Sequence, residues 1–244
     1  MLVGNQSISH YSPSNVMIWL IMSFQAGLLN IGGLLAGHQY VSHITGFASS
    51  FGVAISNGNL SLALRVAGVP IVFMIGAMVS GYFVDVRIKL NKAPKYYITF
   101  GIMFILTLIV FIGGVAGLLG AFGHESDETS YLLLIMLCFI CGIQNGTIST
   151  VSKSVVRTTH LTGITTDLGL SLVRLFNRTA IEINEFEEKR ASLMRIGLIV
   201  FFILGSALGG IIFSKIGFWG FSVPMLIAGS LFFMMYYFQI KKKE

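Results

Sequence analysis

Long apolar runs separated by short charged loops constrain this chain more than any other feature. Six runs, at about 16–37, 64–84, 96–119, 131–152, 195–213 and 218–240, reach the length of about 20 residues that a helix needs to cross a bilayer's hydrocarbon. Only 11% of the 244 residues are charged, where a soluble domain carries about 25%. Lipid offers no partner for a backbone N–H or C=O, so a spanning segment must satisfy its own hydrogen bonds as a helix. The expected fold is an all-α polytopic membrane protein with about six transmembrane helices, forming a single membrane domain over 1–244.

The charges then set an orientation. The first Lys or Arg is Arg65; no basic n-region precedes the first run, which is therefore expected to remain as a span. Arg87, Lys89, Lys92 and Lys95 fill the 85–95 loop, and Lys241, Lys242 and Lys243 follow the last run. Lys153, Arg157, Arg174, Arg178, Lys189, Arg190 and Arg195 lie in the 153–195 connection. The 120–130 loop has no Lys or Arg and three acids, Glu125, Asp127 and Glu128. With six spans all the basic segments share one side, which the positive-inside rule assigns to the cytoplasm. Both termini are then cytoplasmic and the location is the cytoplasmic (inner) membrane. The net charge of +6 sits in these loops rather than on the continuous basic face that a nucleic acid requires.

A repeat subdivides the chain. His43-Ile44-Thr45-Gly46 returns as His160-Leu161-Thr162-Gly163, and each copy follows an apolar run carrying Gly-x-x-Asn: Gly27 to Asn30, then Gly142 to Asn145. Each half (16–119 and 131–240) holds three spans, an odd number, so the second half inserts upside down relative to the first. This predicts two inverted three-helix repeats, the arrangement of many secondary transporters, with a site at the repeat interface. From His43 to Ser56 the first Thr-Gly segment makes a helix of about 20 Å, short for a span. The second, His160 to Phe176, places Ile164, Leu168, Leu172 and Leu175 on one face and Thr166, Asp167, Ser171 and Arg174 on the other. Both are expected to re-enter the membrane or lie at its interface.

Polar groups within spans are costly and mark candidate sites. Asn30 and the pair Gln144 and Asn145, with Gln25, offer amide donors and acceptors suited to a small polar or zwitterionic solute; the alternative role is hydrogen bonding between helices. His43 and His160 titrate near neutral pH and could carry protons, or anchor the chain. Thr45 and Thr162 are placed as helix N-caps whose exposed amides face an anion or carboxylate. Gly46 and Gly163 would then permit close backbone approach. Cys138 and Cys141 read as small packing residues, and Asp85 as a helix end beside a basic loop. No nucleophile–base pair, metal-ligand cluster or phosphate-binding loop is apparent, so neither an enzyme, a cofactor nor a metal is expected.

Ala26-Gly27-Leu28-Leu29-Asn30, Thr45-Gly46-Phe47, Gly142-Ile143-Gln144-Asn145-Gly146 and Thr162-Gly163 together make the chain similar to the YoaK family of bacterial membrane proteins, a family of unknown function. The resemblance covers nearly the whole chain and implies about six helices but no substrate. Asn30 stands where that family often has Asp, and Phe47 where it often has Asn. The functional expectation is a small-molecule secondary transporter, with a homodimer as a plausible assembly for so small a bundle. The alternative is a non-transporting partner or sensor protein in which the Thr-Gly turns are structural.

Overall fold

A computed structural model describes residues 12–124, 127–151 and 161–240. The described residues are helical with no strand. Six helices are long: α1 (Pro13–Gly37), α3 (Leu60–Phe83), α5 (Tyr96–Val115), α6 (Asp127–Val151), α8 (Glu185–Ile216) and α9 (Ser222–Gln239). Three are short: α2 (Ile44–Ser56), α4 (Asp85–Lys89) and α7 (Leu161–Phe176), and a 3₁₀ turn over Gly217–Phe221 joins α8 to α9. By length and apolar composition five continuous helical stretches suffice to cross a membrane, and the last of them, Glu185–Gln239, runs for 55 residues. At 1.5 Å per residue that is more than twice the thickness of a hydrocarbon core. Gly217, at φ 54°, divides it into α8 and α9. These are the helices of a membrane-embedded protein.

Local chemistry sets the helix ends. Ser12 accepts from the Asn15 N–H and Pro13 opens α1, where its missing N–H costs nothing. Gly58 turns the chain at φ 69° between α2 and α3, and the Asn59 side chain caps α3 by accepting from Leu62. The helix α8 begins ten residues ahead of the expected 195–213 span. Asn184 caps it, and Glu185, Glu187 and Glu188 occupy its first turn, at the positive end of the helix dipole. Conversely α5 stops short of residue 119, because Gly117 and Gly120 take positive φ.

Backbone-to-backbone contact at glycines decides which helices meet. A Cβ on Gly27 would overlap the Phe202 carbonyl, and one on Gly205 the Phe24 carbonyl, so α1 and α8 cross in direct contact. Gly76 and Gly142 stand in the same relation to Phe139 and Phe73, bringing α3 against α6. Both pairs run parallel: Ser23 meets Leu198 and Gly32 meets Phe213 along one crossing, while Tyr131 meets Arg65 and Thr147 meets Ser80 along the other. The pairing is reciprocal, the first long helix of each half lying on the second long helix of the other half. Antiparallel contacts complete the bundle. Helix α5 lies on α9 through Phe104 stacked on Phe232 and Gly101 beneath that ring, and α1 lies on α6 with Gly33 beside Leu137. The centre belongs to α1 and α6, whose apolar windows are 61% and 67% buried against 22–33% for the other spans. Large apolar side chains such as Ile105, Ile109 and Ile112 on α5, and Leu204, Leu208 and Ile211 on α8, face outward.

This helix order gathers the start of α1, the end of α3, the start of α5 and the end of α9 at one end of the bundle. Lys89, Lys92, Lys95, Lys189 and Arg190 lie at that end. Gly205 and Gly209 also pack against α1, and Gly33 against the chain after α1, while Gly81 has no atom within 4 Å of where a Cβ would stand. Asp85, half-buried, pairs with exposed Lys89 across one turn of α4, 2.9 Å apart, as an ordinary helix end does. The contrast among glycines is testable by thermal unfolding in detergent. Gly142→Val should cost about 1–3 kcal/mol or abolish folding, as overpacking does, whereas Gly81→Ala should leave the midpoint unchanged or slightly raised.

Candidate functional site

Beyond Gly37 the chain does not continue outward. His38 takes a left-handed conformation (φ 55°) and residues 38–43 turn back along α1. Val41 packs against Gly33, and its carbonyl accepts from Cys138 Sγ at 3.1 Å. Ser42 donates to Asn30 Oδ1 from both its backbone N–H, at 3.2 Å, and its hydroxyl, at 3.0 Å. Asn30 is seven residues before the end of α1, so α2 starts about 10 Å inside the end of the bundle and returns beside the first half of α3. Asn30, Ser42 and Ile44 are half-buried, while His43 and Thr45 are exposed.

The expectation that Thr45 and Thr162 cap their helices is corrected. His43 is the N-cap of α2, with no side-chain capping bond, and Ile44 is already helical; α7 likewise begins at Leu161. Both threonines are therefore second helical residues, and their carbonyls accept from Ser49 and Thr166 one turn on. The two glycines also differ. Gly46 lies beneath the His43 ring, where a Cβ would stand 2.7 Å from Nδ1, while Gly163 faces open space. Gly46 thus leaves room for a histidine. His160 lies outside the described residues.

Nor do the amides of the two halves meet across a shared centre. Gln144 donates to the Met22 carbonyl at 2.6 Å. Asn30 sits further along α1, near the level of Cys138, and is engaged by Ser42. Asn30 therefore lies about midway along the α1–α6 contact, while Asn145, next to Gln144, lies at its Met22 end. Asn145 is 8% exposed, and its Oδ1 has no hydrogen-bond partner among the described residues. Gln25 is fully buried and donates to the Pro224 carbonyl at 3.4 Å, and its Oε1 has no partner among the described residues. A buried carbonyl oxygen left unpaired costs about 1–3 kcal/mol, and such groups call for an explanation.

The second Thr-Gly segment lies at the opposite end of the bundle from the turn preceding α2. It packs along the first turns of α8, burying Ile164 and Ser171. Ser171 was expected on the polar face of α7 and Leu172 on the apolar one; the structure reverses them, with Leu172 37% exposed. Ser171 turns inward because it links two charges. Its hydroxyl donates to Glu188 Oε1 at 2.5 Å and accepts from Arg195 Nη1 at 2.5 Å, and Arg174 adds a bond to the same carboxylate at 3.1 Å.

A family model described as a protein of unknown function, DUF1275, matches residues 18–234. The chain belongs to the DUF1275 family. No curated protein and no solved structure matches it. Membership accords with the resemblance carried by the Gly-x-x-Asn and Thr-Gly motifs and assigns no activity. In this DUF1275 chain the residues that sequence reading missed are Ser42 and Arg195. Ser42 differs from its counterpart in the second copy, Thr159, and lies in no motif. Arg195 was counted among loop charges although α8 already contains it.

The Ser171 hydroxyl, and beside it Arg174, hold the Glu188 carboxylate below the usual glutamate range, against the opposing effect of partial burial. A carboxyl with a lower pKa folded than unfolded contributes its full stabilisation above about 4.3, the unperturbed glutamate value, and loses it as pH falls through the lowered value. A spin label at exposed Val173 should therefore be immobile at neutral pH and gain mobility on acidification through that range. The Ser171→Ala variant should release it at a higher pH.

Proposed function

We propose that this protein is a secondary transporter of small polar or zwitterionic solutes in the cytoplasmic membrane, built from two inverted three-helix repeats. The observation that carries this reading is the interrupted path between α1 and α2. Residues 38–43 are non-helical and turn back along α1, burying Val41 and half-burying Ser42 against it, and α2 starts at the level of Asn30. Irregular backbone at membrane depth is tolerated only where it is buried in protein or lines a watery cavity, and half-helices of this kind form transporter sites. The start of α2 brings to that depth the partial positive charge of its unsatisfied N–H groups, which suits a carboxylate. Asn145 Oδ1 and Gln25 Oε1 supply unpaired acceptors for donors on a solute.

Reciprocal helix pairing supports the inverted repeat. Exchanging α1 with α6, α3 with α8 and α5 with α9 leaves the principal contacts of the bundle unchanged. The short helices obey the same exchange, since α2 packs on the start of α3 and α7 on the start of α8. Inversion puts α2 and α7 in opposite halves of the membrane, with the basic loops and both termini on the cytoplasmic side. A specific observation favours the partner or sensor reading for part of the motif: Asn30 and Gln144 already bond to protein groups. In the transporter reading these two hold the framework, and the start of α2 and Asn145, offset along the axis, meet the solute in turn along its path.

Two measurements test this. Protein in liposomes should accumulate or exchange at least one solute from a panel of amino acids, amines and small hydroxylated metabolites. Asn145→Ala should lower the flux at least about tenfold, the equivalent of one lost hydrogen bond to a buried group, without a lower thermal midpoint. A panel with no transported solute, or a variant as active as wild type, sinks the reading. Single cysteines at exposed Ser49 and Thr166 should react with an impermeant maleimide from opposite sides of the membrane; labelling from one side rejects the inversion.

A further inference from the structure

A groove of about 820 Å³ lies between α1, α8 and α9, with Met17, Phe24, Phe201, Val223, Ser230 and Met234 among its lining residues. It exists because α9 packs chiefly on α5 and makes no direct packing contact with α8. Its volume falls in the range of small-molecule sites, but its wall is almost wholly apolar. The one hydroxyl, on Ser230, is turned back to the Leu226 carbonyl at 2.8 Å. A polar solute finds nothing to bind there.

Geometry names a different occupant. From Val223 to Met234 the groove follows α9 for about 16 Å at the rise of an α-helix, roughly half of a hydrocarbon core about 30 Å thick. It therefore spans one leaflet. Halfway along α1 it is closed where Gln25 Nε2 donates to the Pro224 carbonyl and joins α1 to the start of α9. It runs from there toward the end of the bundle that carries the basic residues. At that end Gln239 ties α9 to the chain around Lys95, donating to the Pro94 carbonyl at 2.9 Å and accepting from the Tyr97 N–H at 3.2 Å. Lys92 and Lys95 belong to this loop, while Lys189 and Arg190 in the first turns of α8 are paired with Glu185 and Glu187. An apolar slot one leaflet deep with cations at its mouth complements a lipid with an anionic headgroup.

We propose that the α1–α8–α9 groove binds an anionic phospholipid, its acyl chains in the slot and its headgroup at the basic end. The lipid fills the space left by α9 and holds α9 against α1 and α8.

The full chain, purified in detergent, is titrated with phosphatidylglycerol or with phosphatidylcholine of the same acyl chains, and read by native mass spectrometry and thermal unfolding. One phosphatidylglycerol should be retained per chain and raise the midpoint, as any ligand selective for the folded state does. Phosphatidylcholine should do neither to a comparable extent. Ser230→Trp fills the slot and should abolish retention and shift together. Leu226→Trp, at a side chain 62% exposed, blocks the groove without entering the core, and Ile109→Trp on the outer face of α5 should change nothing. Equal retention of phosphatidylcholine overturns the proposal, as does undiminished retention in the folded Leu226→Trp protein. A change of oligomeric state on blocking the groove assigns it to a second copy and also overturns the proposal.

Discussion

Four glycines allow the bundle to close. In lipid no hydrophobic gain favours one helix neighbour over another, because the tails are as apolar as the side chains; van der Waals fit and hydrogen bonds must choose. Gly27 and Gly205 bring the backbone of α1 onto that of α8, and Gly76 and Gly142 do the same for α3 and α6. At that separation side chains along the crossings reach polar groups of the neighbouring helix: Ser23 donates to the Leu198 carbonyl, Ser206 to the Gly27 carbonyl, and the Ser80 and Thr147 hydroxyls bond each other. The polar bonds thus follow from the close approach. A methyl group at any of the four positions meets backbone, which cannot turn aside as a flexible side chain can.

The same contacts place the unusual elements. With α1 held against both α8 and α6, the chain leaving α1 has a polar path back into the bundle, past Gly33 to Asn30. Its peptide groups are served there by Cys138 Sγ at the Val41 carbonyl and by Asn30 Oδ1 at the Ser42 N–H. This explains how irregular backbone persists beside two apolar helices: buried polar groups are tolerated when paired. The second short helix is held differently. Its anchor is a charged network at the basic end, in which Ser171 mediates between Glu188 and Arg195. One anchor is neutral and internal; the other is ionic and close to the polar boundary.

Much of the architecture was legible in the chain. The six long helices coincide with the six apolar runs, and the two Thr-Gly segments became helices with nearly the expected limits, 44–56 and 161–176. Errors concentrated where two elements abut. Thr45 resembles an N-cap, yet the preceding His43 already leaves helical geometry, and local sequence does not rank the two. Ser171 and Leu172 exchange faces because a salt-linked serine outweighs a leucine at the edge of a lipid-exposed helix. The amides of Asn30 and Asn145 were read as belonging to one site at the repeat interface, but antiparallel packing offsets them along the axis.

The sequence by itself determined the membrane class, the positions of the apolar helices and membership of DUF1275. These follow from composition and spacing, since the cost of charge or unpaired backbone in lipid applies whatever the neighbours are. Only the tertiary structure decided that α1 lies on α8 and α3 on α6, that Ser42 occupies Asn30, that Asn145 Oδ1 has no partner among the described residues, and that α9 stands off to open a groove. Those outcomes depend on sub-ångström fit at glycines and on the direction of individual hydrogen bonds, which a pattern of residue types does not carry.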